Sequence, residues 1–60
     1  MTKPETMPQA VIDAVTQWAG SKERAAAFFT GMRWDSLDGC YYLQLFNMTV
    51  GIEIDGYIHS

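Results

Sequence analysis

Residues 39–58 read GCYYLQLFNMTVGIEIDGYI, a third of the chain, and hold nearly half of its β-branched and aromatic side chains. Apolar side chains recur at every second position: Tyr41, Leu43 and Leu45, then Val50, Ile52 and Ile54. A period of two is the spacing of a half-buried strand, so the stretch predicts a β-hairpin with one face on a core. Asn47-Met48 is the expected turn between residues 40–46 and 49–55. That register sets Leu45 across from Val50, Leu43 across from Ile52 and Tyr41 across from Ile54. It also sets Tyr42 across from Glu53 and Phe46 across from Thr49, leaving both aromatics on the face away from the core. Asp55-Gly56 offers a second sharp turn, which would leave residues 57–60 as a tail.

Working outward, residues 32–37 alternate weakly and are followed by Asp38-Gly39, a strong two-residue hairpin signal. They predict a further strand, the first in chain order, which makes residues 40–46 strand two and residues 49–55 strand three; Leu37 then lies across from Cys40, Trp34 across from Leu43 and Met32 across from Leu45. Upstream the period changes. Val11, Ala14, Val15, Trp18 and Ala19 share one face at helical spacing, and Gln9, Asp13, Thr16 and Gln17 share the other. A helix over residues 7–19 is expected, with Thr6 as its N-cap, Gln9 closing a capping box and Pro8 in the first turn. Gly20 suits the left-handed position after a helix, and Ser21 suits the N-cap of a second helix over residues 22–30. Its apolar face is Ala25, Phe28, Phe29 and Met32.

The predicted architecture is α+β: two N-terminal helices on one face of a three-stranded antiparallel meander, in the order α-α-β-β-β. Residues 1–5 are expected to be a flexible tail and residues 6–60 a single small domain. The predicted core is Val11, Val15, Trp18, Ala25, Phe28, Phe29, Met32, Trp34, Tyr41, Leu43, Leu45, Val50, Ile52 and Ile54.

Composition narrows the function classes. A chain of 60 residues that is 48% hydrophobic can fold, yet it buries a smaller share of its surface than a larger domain does. Disulfide and zinc staples are not expected, because there is one Cys and one His. Tight packing or a partner subunit is the remaining source of stability. The net charge is −3, and the four cations Lys3, Lys22, Arg24 and Arg33 are scattered, which argues against a phosphate-binding stripe and so against nucleic acid. No segment has a secretory-leader pattern or a membrane-spanning apolar run, so the expected location is the cytoplasm, away from membranes.

Candidate chemistry is sparse. Cys40 and His59 are the one nucleophile–base pair available, but His59 is next to the last residue and Cys40 falls at a hairpin end. Asp35, Asp38, Glu53 and Asp55 lack the spacing of a calcium loop and read as solvated charges. No catalytic residue, metal or cofactor is expected. The helix pair of residues 11–31, with Ala19-Gly20-Ser21-Lys22-Glu23-Arg24-Ala25-Ala26-Ala27 at its centre, resembles in outline the opening of small Cro-like phage repressors. That resemblance implies a DNA-binding helix-turn-helix and a third, polar helix entering the major groove. The segment in that place, Met-Arg-Trp-Asp-Ser-Leu-Asp-Gly, carries two Asp and one Arg. DNA-binding regulation is therefore the alternative reading.

The favoured reading is a non-enzymatic protein–protein interaction module, acting as an accessory or inhibitor protein of the kind phage and mobile elements encode. Its expected surface is the outer sheet face with the strand-three edge: Tyr42, Gln44, Phe46, Glu53, Asp55 and Tyr57. Aromatic rings would supply buried area and the carboxylates would select a basic partner. Pairing of two strand-three edges would give a homodimer.

Overall fold

The computed structural model describes residues 1–59. The chain runs α1 (Gln9–Ala19), α2 (Lys22–Gly31), β1 (Arg33–Asp35), β2 (Cys40–Leu45), β3 (Met48–Glu53) and β4 (Ile58–His59). Two helices pack against an antiparallel sheet of order β1-β2-β3-β4, an α+β arrangement. The fold class is the expected one, with a fourth short strand added.

The helix junction follows its sequence signals. Gly20 takes φ 85, and its N–H donates to Thr16 O at 3.2 Å. Ser21 is extended, and its hydroxyl accepts from the Arg24 N–H at 3.2 Å. The start of α1 differs from expectation. Pro8 is the N-cap and no side chain caps the helix, so the Thr6 capping box does not form. Pro8 has ψ 142, which keeps Met7 and Thr6 out of the helix, and its carbonyl accepts from Val11 and Ile12 at 3.0 and 3.1 Å. A proline disfavours helical backbone in the residue before it, so the helix opens after the ring rather than around it.

Both hairpins slip by two residues from the predicted register, for local reasons. In the first, Trp34 pairs with Tyr41 and Asp35 with Cys40. The connection is a four-residue loop, not the two-residue Asp38-Gly39 turn. Asp35 sets it: its Oδ1 accepts from the Leu37 and Asp38 N–H groups at 2.9 Å each. Its carbonyl accepts from Gly39 at 2.8 Å, where φ is 67. A side chain that supplies two backbone partners holds the longer loop. In the second hairpin, Leu43 pairs with Val50, Tyr41 with Ile52 and Leu45 with Met48. The turn residues are Phe46 and Asn47 rather than Asn47 and Met48. Side chains alternate along a strand, so an even slip leaves each residue that stays in a strand on its predicted face.

The third turn is Ile54-Asp55-Gly56, one residue longer than the expected Asp55-Gly56 pair, with the Gly56 N–H donating to Glu53 O and the Glu53 N–H to Tyr57 O at 2.8 Å each; the chain beyond it returns as β4, with Ile58 on Ile52 and His59 on Gly51. The tail expected there is therefore strand through His59; Ser60 lies outside the described residues. Gly56 has φ 92, and a Cβ on it would stand 2.8 Å from Ala10 O. Only glycine meets both conditions. One correction follows for the interaction surface: β3 is not an open edge along its length, because β4 covers Gly51 and Ile52.

The core comprises Val11, Val15, Met32, Tyr41, Leu43, Val50 and Ile52, with Met7, Phe28, Phe29, Trp34, Leu45 and Ile58 against it. Ala25 is buried beside this cluster, as predicted, and two predicted core residues are exposed. Ile54 falls in the β3–β4 turn and is 42% exposed, and Trp18 is 37% exposed. The N-terminal segment is tied down at its first residue. The Met1 ammonium donates to Ser36 O, and the Trp34 indole N–H donates to Met1 O at 3.2 Å.

Candidate functional site

The sheet face away from the helices carries three cross-strand rows: Asp35–Cys40–Glu53, Arg33–Tyr42–Gly51–His59 and Gln44–Thr49. Several of their polar groups are hydrogen-bonded to one another or to the adjoining β1–β2 loop. The Thr49 hydroxyl donates to Gln44 Oε1 at 2.6 Å. The Tyr42 hydroxyl donates to Asp38 Oδ2 at 2.6 Å. That carboxylate holds the phenol protonated and pushes its pKa above the ordinary tyrosine range, with Cys40 adding in the same direction. Glu53 Oε2 bonds His59 Nε2, and the His59 ring meets Tyr57 edge-on with centroids 4.6 Å apart. The Tyr42 ring lies across Gly51, where a Cβ would come within 3.1 Å of Cε1. A residue without a side chain in the middle of a strand makes room for that ring.

The six residues expected to form one interaction surface are placed in three locations. Tyr42, Gln44 and Glu53 are on the outer face, in the lattice just described. Asp55 and Tyr57 are in the β3–β4 turn, where Asp55 Oδ1 accepts from the Tyr57 N–H at 3.0 Å. Phe46 is at the tip of the β2–β3 hairpin, away from Tyr42. Cys40 and His59 lie on β2 and β4 with β3 between them, and Glu53 engages the imidazole. The segment where a Cro-like protein would place its third helix is β1 and the loop after it. Among the described residues no helix is long and apolar enough to cross a membrane, and no group of three or more His, Cys, Asp or Glu is placed to hold a metal ion.

The apolar surface lies elsewhere, at the end of the molecule where the helix junction faces the β2–β3 tip. Trp18, Phe28, Leu45, Phe46 and Met48 line a groove of about 460 Å³, with Arg24 at its border. The Trp18 and Phe28 rings form its floor, with centroids 5.1 Å apart at 41°. Trp18 is also shared with a second groove of about 330 Å³, bounded by Gln17, Tyr57 and Ile58. Phe46 is the exposed extreme of the molecule at 102%, and Met48 is 41% exposed.

Phe46 also has the one positive φ among the described non-glycine residues, 50. A left-handed backbone costs an L-residue about 1–2 kcal/mol, and bulky side chains are rarely found there. In a two-residue hairpin turn with φ positive at its first central position, glycine is the usual occupant. An aromatic ring held in that conformation and left entirely in solvent gains nothing within the folded chain. Strained backbone of this kind collects at binding and catalytic sites.

Sequence reasoning named Phe46 and Tyr57 but missed the exposure of Trp18 and Met48; Phe28 and Leu45 pack against the core as expected and also line the groove. Trp18 had the periodicity of a core position, and only its place in the last turn of α1, at the edge of the sheet, leaves it half uncovered. No protein-family model matches the chain, and no curated protein or solved structure matches it.

Proposed function

We propose that the protein is a non-enzymatic interaction module whose working surface is the apolar groove at the hairpin tip. The supporting observation is Phe46, a fully exposed aromatic in a strained turn at the lip of a groove floored by Trp18 and Phe28. Aromatic residues clustered around a concavity are the usual composition of a protein-binding hot spot. On the outer sheet face, by contrast, Tyr42, Gln44, Thr49, Glu53 and His59 are engaged in hydrogen bonds within the protein, which fits a stabilising lattice better than a docking surface. An accessory or inhibitor protein that engages its target through this groove is the form the reading takes.

The test is positional photo-crosslinking in the native host. A benzophenone side chain at position 46 should yield a discrete adduct with a second protein, and the same group at position 44, on the outer face, should not. Adducts from position 44 and none from 46 would return the interaction to the outer face. Adducts from neither would remove the interaction reading.

A further inference from the structure

The groove differs from the rest of the surface in charge. The protein carries seven acidic side chains and four basic ones. None of the seven lines the groove, and one of the four, Arg24, does. Among the described residues the one ion pair is Glu53–His59, so the Arg24 guanidinium has no carboxylate partner. Arg24 stands in the first turn of α2, at the positive end of that helix dipole. The C-terminal end of α1 borders the same groove at Ala19 and offsets that field, which leaves the guanidinium as the deciding charge. An arginine beside an aromatic floor offers a forked donor for a carboxylate and a flat surface for its neighbours.

Resting on the interaction reading above, we infer that the occupant is a short segment of another protein with a bulky apolar anchor and an adjacent carboxylate. The anchor fills the space over Trp18 and Phe28, and the carboxylate pairs with Arg24. The volume of about 460 Å³ suits a large side chain and its flanking backbone. A second copy of this chain fits less well. A two-fold interface through this patch would set the two Arg24 side chains against each other with no acid between them. The preference is thus for an acidic partner segment, the reverse of the basic partner that outer-face carboxylates would select.

Two capped pentapeptides test this directly, acetyl-Ser-Glu-Phe-Leu-Ser-amide and its Lys-for-Glu counterpart, titrated into the ¹⁵N-labelled protein. The two indole N–H signals serve as site and control, since Trp18 lines the groove and Trp34 is bonded to Met1 O. The Glu peptide should shift Trp18 and the β2–β3 turn, leave Trp34 in place, and bind about threefold tighter than the Lys peptide, the size of a solvent-exposed ion pair. Arg24→Gln should abolish that preference while keeping the apolar component. Equal binding of the two peptides, a preference that survives Arg24→Gln, or no shift at Trp18 would each overturn the inference. Light scattering on the protein alone, showing mass doubling over the same concentrations, would assign the groove to a second copy instead. If both peptides fail while position 46 still crosslinks a partner, the groove stands and the acidic occupant falls. If position 46 also fails, the interaction reading falls with it.

Discussion

Replacing Phe46 with asparagine should make the free protein more stable. The ring is 102% exposed, so its removal uncovers nothing that folding had covered. What changes is the backbone term. At φ 50 an L-residue with a bulky side chain carries about 1–2 kcal/mol of left-handed strain. Asparagine is among the residues that enter this region most readily, and it lacks the extra unfolded-state entropy that offsets a change to glycine. A gain of about 1 kcal/mol is expected, or roughly 4–8 °C in the melting midpoint for a domain of this size. The assay is thermal and guanidinium unfolding followed by circular dichroism, with Phe46→Ala as the control. Alanine removes the ring but keeps a Cβ in the left-handed region, so its stability should stay within about 0.5 kcal/mol of the parent. A gain for Asn without a gain for Ala isolates the backbone. Losses of more than about 0.5 kcal/mol in both variants would refute the reasoning: the ring would then be packed in the free protein and the groove would be closed. Under the proposed function the Asn variant should also lose its partner, trading binding for stability.

Gly56→Ala should destabilise by about 1–3 kcal/mol, because it adds a Cβ at φ 92 and drives it toward Ala10 O; chemical denaturation measures this, and a loss below about 0.5 kcal/mol would show that the turn and α1 yield together. Stability should also fall as pH rises past about 10, where an unfolded tyrosine gives up its proton and the folded Tyr42 still holds one. Below that pH the contribution is fully present. In Tyr42→Phe the alkaline decline should be shallower, as urea midpoints from pH 8 to pH 11.5 would show, and an unchanged slope would place the linked proton elsewhere.

The faces of the sheet were more legible than its registers. Tyr41, Leu43, Val50 and Ile52 are buried as their alternation implies. Their cross-strand partners differ from expectation because the pairing is set by turn length in the first hairpin and turn position in the second, not by periodicity. Asp35 holds the first loop open with its carboxylate, a contact that depends on three residues acting together. The second turn begins on Phe46, and nothing in an aromatic residue advertises a left-handed backbone. That slip carried Phe46 off the sheet face and into the tip, and with it the reading of where the surface lies. Ile54 had the right parity for the core, but parity stops mattering where the chain leaves β3 at the Ile54-Asp55-Gly56 turn. Trp18 satisfied a helical face that extends beyond the sheet beneath it, so the same periodicity describes both a core position and a groove wall.

The strand order β1-β2-β3-β4 has a consequence for how the chain finds its structure. Each strand pairs with its neighbour in sequence, and α1 meets α2 across Gly20-Ser21, so helix hairpin and sheet can each form through short loop closures. Such steps are complete in microseconds for hairpins of this kind. Among the contacts that cannot form locally is Ala10 against Gly56, which brings the first turn of α1 onto the last turn of the sheet. That meeting joins two preformed halves, and its search across nearly the whole chain is the slow step of folding that the topology leaves.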